Sequence, residues 1–200
     1  MLDSKIRGWW DTAMRPVGRA LARTPLSPNA VTLLGVAIQV GVAYLIIEGR
    51  LVAAGLIAIA AAFFDTFDGA LAKAKGRTSK FGAFLDSSTD RVADALYFGP
   101  IAWLYGVDPD IAARDEPWVA AVTLVALVAS FMVSYVKARA EALGFDCKVG
   151  LVERAERLGL LVIALVFNDL LPPIMVVLAV ASVFTVFQRM FHVYGQARDA

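Results

Sequence analysis

Charge is scarce in this chain. Of its 200 residues only 18% are Asp, Glu, Lys or Arg, while 59% are hydrophobic. Such a composition, with a mean hydropathy of +0.67, excludes an ordinary soluble domain, whose polar surface must meet water. A single cysteine, Cys147, excludes an intramolecular disulfide framework and lacks the companions of a zinc site. The one histidine, His192, sits near the end of the last apolar run with no metal-ligand partner nearby and receives no role. No internal repeat or low-complexity segment is evident, which argues against a solenoid or a second domain. A nucleic-acid partner is not expected.

What the chain has instead is long apolar stretches. A helix of roughly 20 residues crosses the hydrocarbon core, and six runs approach that requirement: Val31 to Ile47, Leu51 to Ala72, Phe81 to Tyr105, Trp118 to Val136, Leu158 to Phe167 with its polar approach, and Leu171 to Phe191. The expected fold is all-α, one membrane domain over residues 1–200 with a six-transmembrane-helix bundle over 29–194. Ahead of it, Ile6, Trp9, Trp10, Met14, Val17 and Leu21 recur at helical spacing among Lys5, Arg7, Arg15, Arg19 and Arg23. This pattern predicts an amphipathic interfacial helix over 4–23 rather than a cleavable signal peptide. The alternative is a cytosolic lead helix packed on the bundle. Thr24 to Asn29 contains two prolines and ends this segment, leaving Asn29 placed to cap the first crossing.

Basic residues collect in alternate connections: the N-terminal segment, Lys73 to Lys80, Lys137 to Arg157, and Arg189 with Arg198. By the positive-inside rule both termini face the cytoplasm of a multi-pass cell-membrane protein.

Acids are costly in such a chain, yet four recur in the pattern D-x2-D-G-x2-A-K-x8-G-x3-D-x3-D: Asp65, Asp68, Asp86 and Asp90. On helices, the i,i+3 pair and the i,i+4 pair each point to one side. A bend near Gly76 to Ser79 brings the two pairs opposite each other, about 12–20 Å of helix from the cytoplasmic turn at 1.5 Å per residue. Gly69 and Gly82 flank the acids and leave room for a ligand or a neighbouring backbone. Four carboxylates in a low-dielectric space need counter-charge, which hard divalent cations supply: magnesium, or manganese in its place. Two such ions suit displacement at phosphorus. Pairing with Lys or Arg, or an ion pathway in a divalent-cation transporter, is the other use of intramembrane acids. Against a pathway, Asp94 extends the acidic face by one turn and then the acids stop.

The full pattern resembles the signature of the CDP-alcohol phosphotransferase family, D-x2-D-G-x2-A-R-x8-G-x3-D-x3-D, with Lys73 in place of its arginine. Lysine keeps the charge and loses the planar two-point fork. The resemblance implies a six-helix homodimeric membrane enzyme that displaces CMP from a CDP-linked lipid such as CDP-diacylglycerol. Carried onto this chain, Asp65, Asp68 and Asp86 hold two Mg2+ ions, and Asp90 touches a metal and takes the proton of the acceptor hydroxyl. The resemblance also assigns Gly69, Lys73 and Ser79 to the CDP site, joined by Asn29, Ala30, Val31 and Thr32. Capping and helix initiation are the plain structural uses of Asn29 and Thr32.

The segments Ser134 to Glu141 and Val152 to Arg157, with Gln188 and Arg189, are similar to the actinobacterial phosphatidylinositol phosphate synthase branch. That resemblance implies that Lys137, Arg157 and Arg189, with Arg154 as an addition, hold the phosphate of inositol 3-phosphate. Cations at three helix ends can converge on a doubly charged phosphate through charge-assisted hydrogen bonds. Snorkelling, or local pairing of Arg154 and Arg157 with Glu153 and Glu156, is the competing use. The neighbouring alternatives are a phosphatidylglycerophosphate synthase and an archaeal-type enzyme acting on an ether lipid.

Overall fold

In the computed structural model of the chain, the described residues are 16, 20, 22–76, 79–107 and 116–199, with the side chains of 65, 66, 68 and 199 set aside. They form α1 (Pro28–Ile47), α2 (Leu51–Ala74), α3 (Lys80–Val107), α4 (Trp118–Ala142), α5 (Arg154–Val166), a short 3-10 turn (Asn168–Leu170) and α6 (Leu171–Asp199). No strand occurs among the described residues, and each expected apolar run lies in one of these helices, save that Phe167 falls just past the end of α5. The expected interfacial helix over 4–23 falls almost wholly outside the described residues.

The burial pattern is that of a protein solvated by lipid. Leu33, Leu56, Phe84, Trp103, Val128, Val180 and Phe191 are all more than half exposed, a distribution water would penalise and hydrocarbon does not. Among the described residues four helical stretches, Pro28–Ile47, Leu51–Ala74, Trp118–Ala142 and Asn168–Arg198, are long and apolar enough to cross a membrane. The other two differ for separate reasons. With 28 residues α3 has ample length, but Lys80, Asp86, Asp90, Arg91 and Asp94 crowd the stretch from its start to its middle. With 13 residues α5 is only about 20 Å long at 1.5 Å per residue.

Two compact units make up the chain: residues 1–41 with 57–93, and residues 42–56 with 94–200. Because α1, α2 and α3 each contribute to both, the units are not successive domains along the sequence. In the second unit α4 buries Val119, Thr123, Ala126, Ser130, Val133 and Ala140, a stripe at three- and four-residue intervals that is mostly small. Facing it, α6 buries Leu171, Met175, Leu178, Ser182, Thr185 and Arg189 with the same period. Small side chains let two helix backbones approach where lipid offers no hydrophobic gain for association. Arg157, Leu161, Ala164 and Leu165 form the corresponding stripe on α5.

The start of α1 departs from expectation. Ser27, not Asn29, is the cap: its Oγ accepts the Ala30 N–H at 3.1 Å. Pro28 then takes the first helical position, where a missing amide costs nothing and φ is already helical.

Gly55 on α2 meets α5 so closely that a Cβ there would lie 2.8 Å from Val166 Cγ2, 3.1 Å from Leu165 Cβ and 3.2 Å from the Val166 amide nitrogen. Since backbone as well as side chain must move, Gly55→Ala is expected to destabilise by about 1–3 kcal/mol. This is read as a lower unfolding temperature in detergent. Gly41→Ala, which meets nothing within 4 Å, is expected to leave that temperature unchanged or slightly raised.

Candidate donor and acceptor sites

In the first unit a cleft of about 230 Å³ is lined by Pro28, Asn29 and Thr32 of α1, Gly69, Ala72 and Lys73 of α2, and Ser79, Gly82, Ala83 and Asp86 at the start of α3. Each group arrives there for a local reason. Helix α2 stops at Ala74 because Gly76 adopts φ +60°, the left-handed conformation that closes a helix end. Ser79 restarts the chain as the cap of α3, its Oγ accepting the Gly82 N–H at 2.9 Å. Space at Gly82 is tight: a Cβ would come within 3.1 Å of Ser79 Oγ and 3.7 Å of Asn29 Oδ1. Opposite, Gly69 has open space where a side chain would be. Thr32 gives its hydroxyl to Pro28 O at 3.2 Å, so its hydroxyl serves the first turn of α1.

Asn29, Thr32, Gly69, Lys73 and Ser79, the polar and glycine residues expected at a nucleotide site, are therefore together, and Asp86 joins them. Ala30 and Val31 do not line the cleft; Ala30 points outward and Val31 is buried. Asp90 lies one turn beyond Asp86, half-buried, with the Arg91 guanidinium 3.6 Å from its Oδ2. Arg91 also donates to the Ser87 carbonyl. Asp65 and Asp68 hold helical positions in α2, while their side chains lie outside the described residues. Among the described residues no three acidic, histidine or cysteine side chains cluster.

Sequence reasoning missed Lys75. Its Nζ donates to Thr24 O at 2.9 Å and Leu26 O at 2.7 Å, pinning the segment that leads into α1 to the turn after α2. Proximity in sequence gave no hint, because the partners are about 50 residues apart.

The second unit holds the cations expected to bind an acceptor phosphate. Lys137 is half-buried on α4 and Arg154 half-buried in the first turn of α5. Arg157 and Arg189 are each only 2% exposed. Arg189 Nε donates to Val149 O at 2.7 Å, Nη1 to Val133 O at 2.7 Å, and Nη2 to Glu153 Oε1 at 3.2 Å. One side chain of α6 thus ties down α4, the 143–153 connection and the cap of α5. Two more residues on the same face of α6 extend the strap. Thr185 Oγ1 accepts the Val152 N–H at 3.3 Å, and the Gln196 side chain exchanges hydrogen bonds with the Asp146 backbone at 3.0 and 2.6 Å. At Gly150 a Cβ would stand 3.0 Å from Arg189 Nη2, so a side chain there would press on the strap. Cys147 is fully buried beneath it. Burial pushes its thiol above the ordinary cysteine range, against the opposing pull of Arg189.

Arg157 does not take the competing local pairing with Glu153 and Glu156. Glu153 and Glu156 build a reciprocal capping box at the start of α5, and Arg157 reaches instead to Asp94 Oδ2 at 3.0 Å. The Arg157 Nε–H is buried with no hydrogen-bond partner among the described residues.

A family model described as CDP-alcohol phosphatidyltransferase matches residues 25–188. A phosphatidylinositol phosphate synthase from Corynebacterium glutamicum is 39% identical over 185 residues, covering 88% of this chain and 82% of its own. An archaetidylinositol phosphate synthase from Pyrococcus horikoshii is 36% identical over 189 residues, 94% of each chain. Among solved structures, the Mycobacterium tuberculosis phosphatidylinositol phosphate synthase with CDP-DAG bound superposes with a TM-score of 0.82 at 36% identity, over 90% of this chain and 93% of that one. The same protein has been solved in complex with manganese and citrate.

Lys75 generates a direct test. Charge-assisted hydrogen bonds contribute about 1.5–3 kcal/mol each, so Lys75→Met is expected to speed amide exchange over residues 27–31 by about tenfold or more. Lys148→Met, at an exposed site on the other connection, is expected to leave that exchange unchanged.

Proposed function

Because the chain belongs to the CDP-alcohol phosphatidyltransferase family, we propose that it moves a phosphatidyl group from CDP-diacylglycerol to inositol 3-phosphate, releasing CMP and forming phosphatidylinositol phosphate. The observation that carries the reading is the cleft itself. It joins Asn29, Gly69, Lys73, Ser79, Gly82 and Asp86 from three helices, which is the arrangement the D-x2-D-G-x2-A-K-x8-G-x3-D-x3-D pattern demands if it serves a nucleotide diphosphate. The inositol phosphate acceptor is supported by the relatives: the bacterial and archaeal proteins differ in the lipid part of their names and share inositol phosphate.

The donor set fits a divalent metal. Asp86 presents a carboxylate to the cleft, Asp90 follows at i+4, and Asp65 and Asp68 stand at i,i+3 positions on α2; all are hard oxygen donors suited to Mg2+ or Mn2+. Asp65, Asp68, Asp86 and Asp90 are the residues assigned to hold two such ions, which when bound offset the diphosphate charge and favour phosphoryl transfer. Lys73 adds a cation toward the diphosphate, and its flexible ammonium makes a point contact rather than a fork. Asn29 and Ser79 offer polar side chains at the same opening; Ala30 and Val31, which the family resemblance also assigns to the CDP site, lie off the cleft with their amides bonded to Ser27. Gly69 and Gly82 keep the approach clear.

Asp90 is assigned as the base. It accepts the proton of an inositol hydroxyl as that oxygen forms a bond to the β-phosphorus, and the bond from that phosphorus to the bridging oxygen breaks, releasing CMP. On the acceptor side Lys137, Arg154, Arg157 and Arg189 supply positive charge for the phosphate monoester. The reading extends to one membrane domain over 1–200 with six crossings, an interfacial helix over 4–23, cytoplasmic termini and site, and a homodimer. In it α3 crosses with its acids turned to substrate, and short α5 crosses together with its flanking residues.

The test is CMP release by purified protein given CDP-diacylglycerol, Mg2+ and either inositol 3-phosphate or glycerol 3-phosphate. Turnover with the inositol phosphate is expected; turnover only with glycerol phosphate reassigns the acceptor, and none with any alcohol removes the enzymatic reading. Chelation with EDTA is expected to abolish release, and added Mg2+ or Mn2+ to restore it. Asp90→Asn is expected to lower kcat by about 100- to 10,000-fold, the range for loss of a general base, while CDP-diacylglycerol binding persists. Near-normal turnover in that variant removes Asp90 as the base.

A further inference from the structure

We propose that Asp94 is a positioning residue for the acceptor site: it holds the Arg157 guanidinium by one terminal nitrogen and so reserves the Arg157 Nε–H for an oxygen of the acceptor phosphate. This rests on the reading of the second-unit cations as a phosphate site.

Arg157 is the largest fully buried side chain among the described residues, and Asp94 is 7% exposed. A guanidinium remains charged at any depth, so a carboxylate is what permits it there. The bond between them runs from Nη2 to Oδ2 at 3.0 Å. An arginine whose whole task was structural would be expected to spend its inward donors on the fold, as Arg189 does with Nε, Nη1 and Nη2 all bonded within the chain. Arg157 does not. Its Nε–H is buried with no hydrogen-bond partner among the described residues, and a buried donor left without an acceptor calls for an explanation. An anion oxygen completes it, and the chemistry of a phosphate monoester, with several strong acceptor oxygens, matches the need. The two buried arginines therefore divide the work: Arg189 fastens the 143–153 connection, and Arg157, aimed by Asp94, keeps a donor for the ligand.

Asp94 also recurs four residues after Asp90 and eight after Asp86 on α3. The periodic acid that looked like the fading end of the metal motif has a cation for a partner. It is thereby distinguished from the metal-holding set.

The experiment measures CMP release for the full chain and for Asp94→Asn, Asp94→Glu, Arg157→Lys and the double variant Asp94→Asn/Arg157→Lys, varying each substrate in turn. If the unaltered protein gives no CMP with inositol 3-phosphate, the acceptor reading fails and this assignment with it. Given turnover, Asp94→Asn is expected to raise the acceptor KM about tenfold or more while the CDP-diacylglycerol KM and kcat stay within about twofold. If Asp94 acts through Arg157, the double variant should match Arg157→Lys alone. Equal rises in both KM values, or additive effects in the double variant, overturn the assignment while leaving the acceptor reading intact. Should Asp94→Asn fail to fold, Asp94→Glu decides: it keeps the charge and shifts the carboxylate by one methylene. A rise of about threefold or more in the acceptor KM alone is then expected, and an unchanged acceptor KM overturns the proposal.

Discussion

A guanidinium removed from water has to find acceptors inside the protein, and in the second unit that demand organises the structure. Arg189 draws carbonyls from α4 and from the 143–153 connection, and a carboxylate from the cap of α5. Leaving a buried charge unpaired costs about 3–5 kcal/mol, so the geometry around such a group is dictated by it. The connection is tied to α6, a side chain at Gly150 would press on the Arg189 guanidinium, and α5 begins where Glu153 is held. Cys147 is sealed beneath as a consequence. An irregular segment thereby acquires the definition of a regular one.

The first unit solves a different problem. Its cleft is shaped by helix ends rather than by a buried charge. Gly76 stops α2, Ser79 restarts the chain as α3, and Ser27 with Pro28 starts α1. Helix starts leave amides without internal partners, and two such starts at one opening suit an anionic ligand. Lys75 holds the approach to α1 by two backbone carbonyls. The residues that serve the fold at this opening are among those assigned to the nucleotide: Ser79 caps and also lines the cleft, and Thr32 stabilises its turn and also lines it.

Family membership and local chemistry support one another here. The signature's lysine, Lys73, stands at the cleft where the family pattern has arginine. Lysine preserves the charge at that place and gives up the planar fork of arginine. The bacterial relative and the archaeal one are similar to this chain over most of its length despite the different lipids in their names. Inositol phosphate is the element those two names share, and the second unit holds Lys137, Arg154, Arg157 and Arg189.

Composition and apolar period by themselves determined the helices, because a backbone surrounded by hydrocarbon must satisfy its own hydrogen bonds and a helix does so within one segment. Spacing alone brought out Asp65, Asp68, Asp86 and Asp90 and the glycines beside them, since i,i+3 and i,i+4 positions share a helix face. Which residue caps α1 was decided by geometry at Pro28, and Asn29 was left for the cleft. The partners of Lys75, Arg157 and Arg189 were beyond the sequence: they lie 36 to 63 residues away. Long-range pairing depends on where helices pack, and a charged residue in isolation looks the same whether it will bind a ligand, fasten a loop or face a lipid headgroup. Only the tertiary structure separated Arg189, whose bonded donors are spent on the fold, from Arg157, which keeps one in reserve.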